Sequence, residues 1–124
     1  MIYLDTHVLV WLWLNDTAKL GREARKAIDS QEIVAPAAAV LELGILHELG
    51  RLKHSAATVM SGLAETLRLR ICDLSFRTIV DQALAESWTR DPFDRLIVAN
   101  AKAAGAALIT KDQRMHEHYK RAVW

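Results

Sequence analysis

Arg90-Asp91-Pro92-Phe93-Asp94-Arg95 leads directly into the apolar helical run Leu96 to Ala104, and then into Ala106 to Asp112, which reads as a strand with a stop. Asp91 has the side chain of a helix N-cap, Pro92 the preset φ of the first helical position, and Asp94 falls at the third. Asp94 there can cap reciprocally, although the usual residue in a capping box is Glu or Gln. Taken alone, the segment is a helix start built with two acids. Whether they also do chemistry depends on what the rest of the chain brings to them.

Upstream, Met1 to Leu4 reads as a short buried strand ending on Asp5-Thr6, and Val8 to Leu14 is continuously apolar, as a buried element is. Asn15-Asp16-Thr17 is a turn signal. Leu20 to Ile28 has the pattern of an amphipathic helix, and Ile33-Val34-Ala35 that of a strand closed by Pro36. Ala37 to Leu49 predicts a helix stopped by Gly50, Ala56 to Arg68 another, Arg70 to Asp73 a strand, and Phe76 to Trp88 a further helix. Asp73-Leu74-Ser75 reads as strand exit and cap. Past the opening stretch, Gly105 ends the helix, Ala106 to Thr110 is a strand, Gln113 to Tyr119 a short helix, and Ala122-Val123-Trp124 a final apolar segment. Strands alternating with helices predict a single α/β domain over residues 1–124, with a parallel sheet covered on both faces.

At 124 residues the chain is long enough for one core without staples. One cysteine, Cys72 in an apolar run, predicts a buried thiol in a reducing compartment. No basic start precedes an apolar core and no apolar run reaches a membrane span, which predicts a cytoplasmic protein with no membrane partner. Lys and Arg number 16 against 15 Asp and Glu, a balance that by itself says nothing about nucleic acid. The apolar fraction of 52% and the pair Trp11 and Trp13 predict surface buried in the core, a partner or a second copy.

In a parallel sheet with returning helices, strand C-termini and helix N-termini share the edge where ligands bind. Asp5 and Asp112 follow strand ends, and Glu42 and Asp94 lie in early helical turns, so four acids fall at one edge. Glu42 has Ala38, Ala39, Ile45 and Leu46 one turn away, so its carboxylate projects among apolar groups and needs a positive neighbour. Four carboxylates brought together repel unless cations neutralise them. Oxygen ligands alone favour Mg²⁺ or Mn²⁺, and such ions promote in-line displacement at phosphorus. The implied chemistry is phosphodiester hydrolysis. The histidines lack a zinc spacing, and no Gly-rich phosphate loop or G-x-S-x-G elbow is present.

These residues resemble a known family. Ile2-Tyr3-Leu4-Asp5-Thr6, Glu42, Asp91-Pro92-Phe93-Asp94-Arg95-Leu96-Ile97-Val98-Ala99 and Leu108-Ile109-Thr110-Lys111-Asp112 are similar, in order and spacing, to the motifs of the PIN domain, specifically of VapC-type toxins from bacterial toxin–antitoxin pairs. The resemblance implies a three-layer α/β/α fold with a central parallel sheet, a Mg²⁺- or Mn²⁺-dependent ribonuclease acting on RNA, a homodimer, and a cognate antitoxin that blocks the site. It carries Asp5, Glu42 and Asp94 over as core metal ligands, with Asp112 acting through water. Thr6 and Thr110 match hydroxyls that orient carboxylates or a water.

Arg90, Arg95, Lys111 and Arg114 lie near the acids in sequence and are candidates for phosphate contacts or solvated charges. His7 is a candidate for substrate contact or for a packed, backbone-bonded ring. Trp11 and Trp13 can stack a base, but burial in the core or a dimer interface is the favoured expectation. Two other functions compete with the nuclease. One is a non-catalytic PIN-like regulatory or binding module. The other is a phosphatase, against which stands His7, where an aspartyl-phosphate enzyme of the haloacid dehalogenase type has a second acid two residues after the first.

Overall fold

A computed structural model describes all residues 1–124. Five parallel strands form one sheet: β1 (Ile2–Leu4), β2 (Ile33–Ala35), β3 (Arg70–Ile71), β4 (Ala107–Ile109) and β5 (Ala122–Val123), in the spatial order β3-β2-β1-β4-β5. β1 pairs with β2 through Ile2–Ile33 and with β4 through Leu4–Ile109. Both of its edges are therefore occupied, and its three side chains are buried. Seven helices connect and cover the strands: α1 (Thr6–Trp13), α2 (Arg22–Ser30), α3 (Ala37–Glu48), α4 (Ala56–Leu67), α5 (Phe76–Ala83), α6 (Pro92–Ala103) and α7 (Gln113–His118). The three-layer α/β/α expectation holds.

From β1 the chain builds outward through β2 and β3 on one side and through β4 and β5 on the other. The strand order thus reverses between β1 and β4, and that reversal opens a crevice at the strand C-termini. Asp5 leaves β1 and Thr110 leaves β4 at this crevice.

Local signals set most of the boundaries. Asp91 accepts the N–H groups of Phe93 (2.8 Å) and Asp94 (3.3 Å), with Pro92 at the first helical position of α6. Ser55 and Ser75 cap α4 and α5 in the same way. Gly50 and Gly105 take positive φ values of +73° and +62° just past α3 and α6, where a side chain would be strained.

Two expectations need correction. The helix foreseen over Phe76 to Trp88 ends at Ala83, because the chain beyond it turns inward to bury Glu86 beside Lys102. The final Ala122-Val123 is a fifth strand, paired with β4 through Leu108–Ala122 and Ile109–Val123. Trp124 then packs over Gly21, where any β-carbon would collide with it, and edge-on against Trp11 at 5.7 Å. Trp11 and Trp13 pack partly buried on the core, in line with the burial expectation.

Candidate active site

The edge of β1 and the start of α1 are joined by one residue. Asp5 caps α1 through Oδ1, which accepts the N–H of Thr6 at 2.7 Å, while Oδ2 accepts the hydroxyl of Thr110 at 2.7 Å. Both carboxylate oxygens are thereby fixed, and the residue is only 4% exposed. The Thr6 hydroxyl donates in turn to Glu42 Oε1, tying the second turn of α3 to the same edge. On the β4 side, Thr110 Oγ1 accepts the N–H of Asp112 (3.0 Å), and Asp112 caps α7 by accepting from Arg114 N–H (2.8 Å) and Met115 N–H (3.2 Å).

Asp5, Thr6, His7, Glu42, Leu46, Asp94 and Asp112 line one cavity of about 180 Å³. All four acids foreseen from the sequence are brought together there. Thr6 is in the wall, and Thr110 holds Asp5 from behind. The reciprocal cap foreseen for Asp94 does not form: the Asp91 N–H goes to the Thr89 hydroxyl at 3.2 Å instead. Asp94 is thus left free of capping work and faces the cavity half-buried.

The electrostatics follow from this packing. Burial, followed by the negative charges of Asp91, Asp5, Asp112 and Glu42, pushes the Asp94 carboxyl from its ordinary 3.8 up to about 7. Glu42 is also raised. Burial acts first, the Thr6 hydrogen bond pulls the other way, and the charges of Asp5 and Asp91 add to the rise. No lysine or arginine lines the cavity, so the chain itself supplies no opposite charge to its carboxylates.

The four acids offer oxygen donors alone, which matches the preference of Mg²⁺ or Mn²⁺. As the side chains stand, however, no three Asp, Glu, His or Cys groups close on a common point that would hold a metal ion. Several of their oxygens are already bonded: Asp5 and Asp112 spend oxygens on helix N-termini, and Glu42 spends one on Thr6. The residues fit such an ion chemically, with Asp94 and the second oxygen of Glu42 free to swing toward it.

The basic residues have acquired other work. Beyond α5, the carbonyls of Ser87, Trp88 and Thr89 accept from Arg90 (2.7 Å), Arg114 and Arg95 (2.7 Å) respectively. Three successive peptide oxygens in this turn are satisfied by guanidinium groups. Only Lys111, exposed beside the cavity, keeps its side chain clear of such a bond. Glu86 was not legible as special: 2% exposed, it accepts from Lys102 Nζ at 2.6 Å and from Trp88 Nε1 at 2.7 Å. Burial pushes its carboxyl up, but the bonds from Lys102 and Trp88 outweigh this and hold it below the usual range. His7 takes its backbone-bonded option, with Nε2 accepting the Lys111 N–H at 3.1 Å.

A larger cavity of about 240 Å³ lies between α3, α5 and α6, lined by Leu41, Phe76, Phe93 and Leu96 among others. It is almost wholly apolar, with Phe76 70% and Leu41 61% exposed, and brings no titratable groups together. The titratable groups are gathered in the acidic cavity instead.

Comparison with known proteins agrees with this architecture. The PIN domain family matches residues 2–121. Ribonuclease VapC22 of Mycobacterium tuberculosis is 35% identical over 121 residues, spanning 94% of this chain and 91% of that protein. Among solved structures, a toxin–antitoxin complex from Klebsiella pneumoniae superposes with a TM-score of 0.70 at 19% identity, covering 100% of this chain and 97% of its counterpart. VapBC2 from Rickettsia felis, bound to a DNA fragment from its promoter, does so with a TM-score of 0.64 at 18% identity, covering 94% and 92%. At those identities the two structures speak for the fold alone.

Proposed function

The chain belongs to the PIN domain family, and from that premise we propose that it is a divalent-metal-dependent endoribonuclease, the toxin of a type II toxin–antitoxin pair. The observation that carries the reading is the convergence of Asp5, Glu42, Asp94 and Asp112 on one cavity at the crevice between β1 and β4. Asp5, Glu42 and Asp94 would hold the ion, with Asp112 acting through water. Mg²⁺ or Mn²⁺ in this place supplies Lewis-acid stabilisation of charge developing at phosphorus and a more acidic water.

The chain's own residues do the rest. Thr6 and Thr110 orient the carboxylates of Glu42 and Asp5, so that lone pairs face the cavity rather than the core. Asp94 holds a proton near neutral pH in the ion-free pocket and gives it up when positive charge arrives. Lys111, at the rim, is placed to attract an RNA phosphate. Arg90, Arg95 and Arg114 each retain N–H groups beyond the one spent on a carbonyl, but their first job is to hold the Ser87–Thr89 turn.

The partners in this reading are RNA, a cognate antitoxin that covers the acidic cavity, and a second copy of the chain, all in the cytoplasm. The exposed apolar surface around Phe76 and Leu41 supports a homodimer. No helix is long and apolar enough to cross a membrane. Asp5→Asn and Asp94→Asn should each abolish Mn²⁺-dependent cleavage of a mixed-sequence RNA while leaving the circular dichroism spectrum unchanged; full activity in both variants would sink the proposal. The alternative, a PIN-like binding module without turnover, draws on the incompletely closed ligand set. It requires that antitoxin-free protein bind Mn²⁺ yet leave every RNA tested intact.

A further inference from the structure

The Thr110–Lys111 peptide bond is held at both ends by imidazoles. Its N–H, on Lys111, donates to His7 Nε2 at 3.1 Å. Its C=O, on Thr110, lies 2.7 Å from His116 Nε2. A carbonyl oxygen only accepts, so His116 Nε2 carries a proton. A backbone N–H only donates, so His7 Nε2 is the bare lone pair and the ring proton sits on Nδ1. That Nδ1 lies 3.4 Å from Asp5 Oδ2.

His7 packs against Trp11 with ring centroids 4.9 Å apart, and His116 is a half-buried residue of α7. The peptide they grip belongs to the residues that set the two acids flanking the crevice. The Thr110 hydroxyl donates to Asp5 Oδ2 and accepts from the Asp112 N–H. Rotation about this peptide leaves the Thr110 side chain on Asp5 but carries Lys111 and the Asp112 N–H away from the hydroxyl.

We infer that His7 and His116 are positioning residues, which clamp the Thr110–Lys111 peptide from its two ends and thereby hold Asp112 against the Thr110 hydroxyl that also bonds Asp5. The consequence for metal binding rests on the ribonuclease reading, whereas the clamp itself rests on the hydrogen bonds alone. Neither ring need touch RNA. Glutamine places its amide group near the position of Nε2 and can accept there or donate, so it substitutes for either histidine; a hydrocarbon side chain does neither.

The test begins on the wild-type protein in EDTA, by long-range ¹H–¹⁵N NMR of the imidazoles. The expected spectra have the His7 proton on Nδ1 and the His116 proton on Nε2; a His7 proton on Nε2, or a His116 proton on Nδ1 alone, overturns the clamp. Next, His7→Phe, which keeps a ring against Trp11, and His116→Leu are compared with His7→Gln and His116→Gln. The Lys111 amide should exchange at least tenfold faster in His7→Phe and return toward the wild-type rate in His7→Gln. Mn²⁺ affinity, by calorimetry, should fall about tenfold in His7→Phe and His116→Leu, the lower end for partners of metal-holding groups, and recover in the glutamine variants. Unchanged affinity in both hydrocarbon variants, or equal loss in the glutamine variants, refutes positioning. A wild-type protein that binds Mn²⁺ with the expected tautomers but cleaves no RNA refutes the ribonuclease reading and leaves the clamp standing.

Discussion

Asp94→Asn should stabilise the ion-free protein at pH 8 while removing a group the proposed chemistry requires. In the folded chain the Asp94 carboxyl is raised from 3.8 to about 7, by burial first and then by the charges of Asp91, Asp5, Asp112 and Glu42. Because the folded value lies above the unfolded one, the unfolded chain loses its proton first, and folding stability falls as pH rises from about 4 to about 7. The full rise is worth about 4 kcal/mol against the ionised carboxylate. Solvent reaching the open side of the cavity screens part of this, leaving about 1–3 kcal/mol at pH 8.

Asparagine keeps the size of the side chain and carries no charge. Its advantage should be small at pH 4, where the wild-type carboxyl is protonated in the folded chain. It should grow between pH 4 and 7 and be level above that. Urea titration followed by tryptophan fluorescence in EDTA reads this as a shift in midpoint at constant slope. A variant no more stable than wild type at pH 8, or equally favoured at pH 4 and pH 8, would refute the claim that the cavity strains Asp94.

The same pocket predicts that millimolar Mn²⁺ raises the melting temperature of the wild type but not of Asp94→Asn, reversing the order seen in EDTA; differential scanning fluorimetry reads it. Mn²⁺ binding near pH 6.5 should release up to one proton, measured by calorimetry in buffers of different ionisation heat, and Asp94→Asn should lose that release. Lys102→Met leaves Glu86 buried without its partner and should cost about 3–5 kcal/mol at pH 7. Glu86 is held below its ordinary value, so the stability from this pair is present above the unfolded value and lost as pH falls through the folded one. The Lys102→Met deficit should accordingly shrink below pH 4.5 in urea titrations. Gly62→Val sets a side chain against the Trp13 ring and should cost about 1–3 kcal/mol by the same titration.

The opening stretch carried its information locally, and the structure kept it. Asp91 caps, Pro92 starts the helix, and Asp94 is aimed at the crevice, since each choice depends on neighbours within a turn. Asp5 and Asp112 were legible because strand ends are marked by the loss of an apolar run. What escaped depends on distant partners. Glu86 takes its burial from Lys102, sixteen residues on, so nothing near it announced the end of α5. The strand at Ala122-Val123 is two residues long and exists only because β4 offers a free edge. His116 lacks a zinc spacing, and its partner is a carbonyl, which no pattern of side chains reveals. The arginines around the site are visible as charges, but their partners are likewise backbone oxygens, outside any such pattern.

The central claim, hydrolysis of RNA by water in a metal-charged carboxylate cavity, is tested most directly by the ends of the products. Antitoxin-free protein is incubated with an end-labelled mixed-sequence RNA, with Mn²⁺ or with EDTA, and the new termini are identified. Attack by water predicts cleavage only with the ion and no 2′,3′-cyclic phosphate. Cleavage that persists in EDTA, or cyclic phosphate termini from attack by the RNA's own 2′-hydroxyl, would contradict the account.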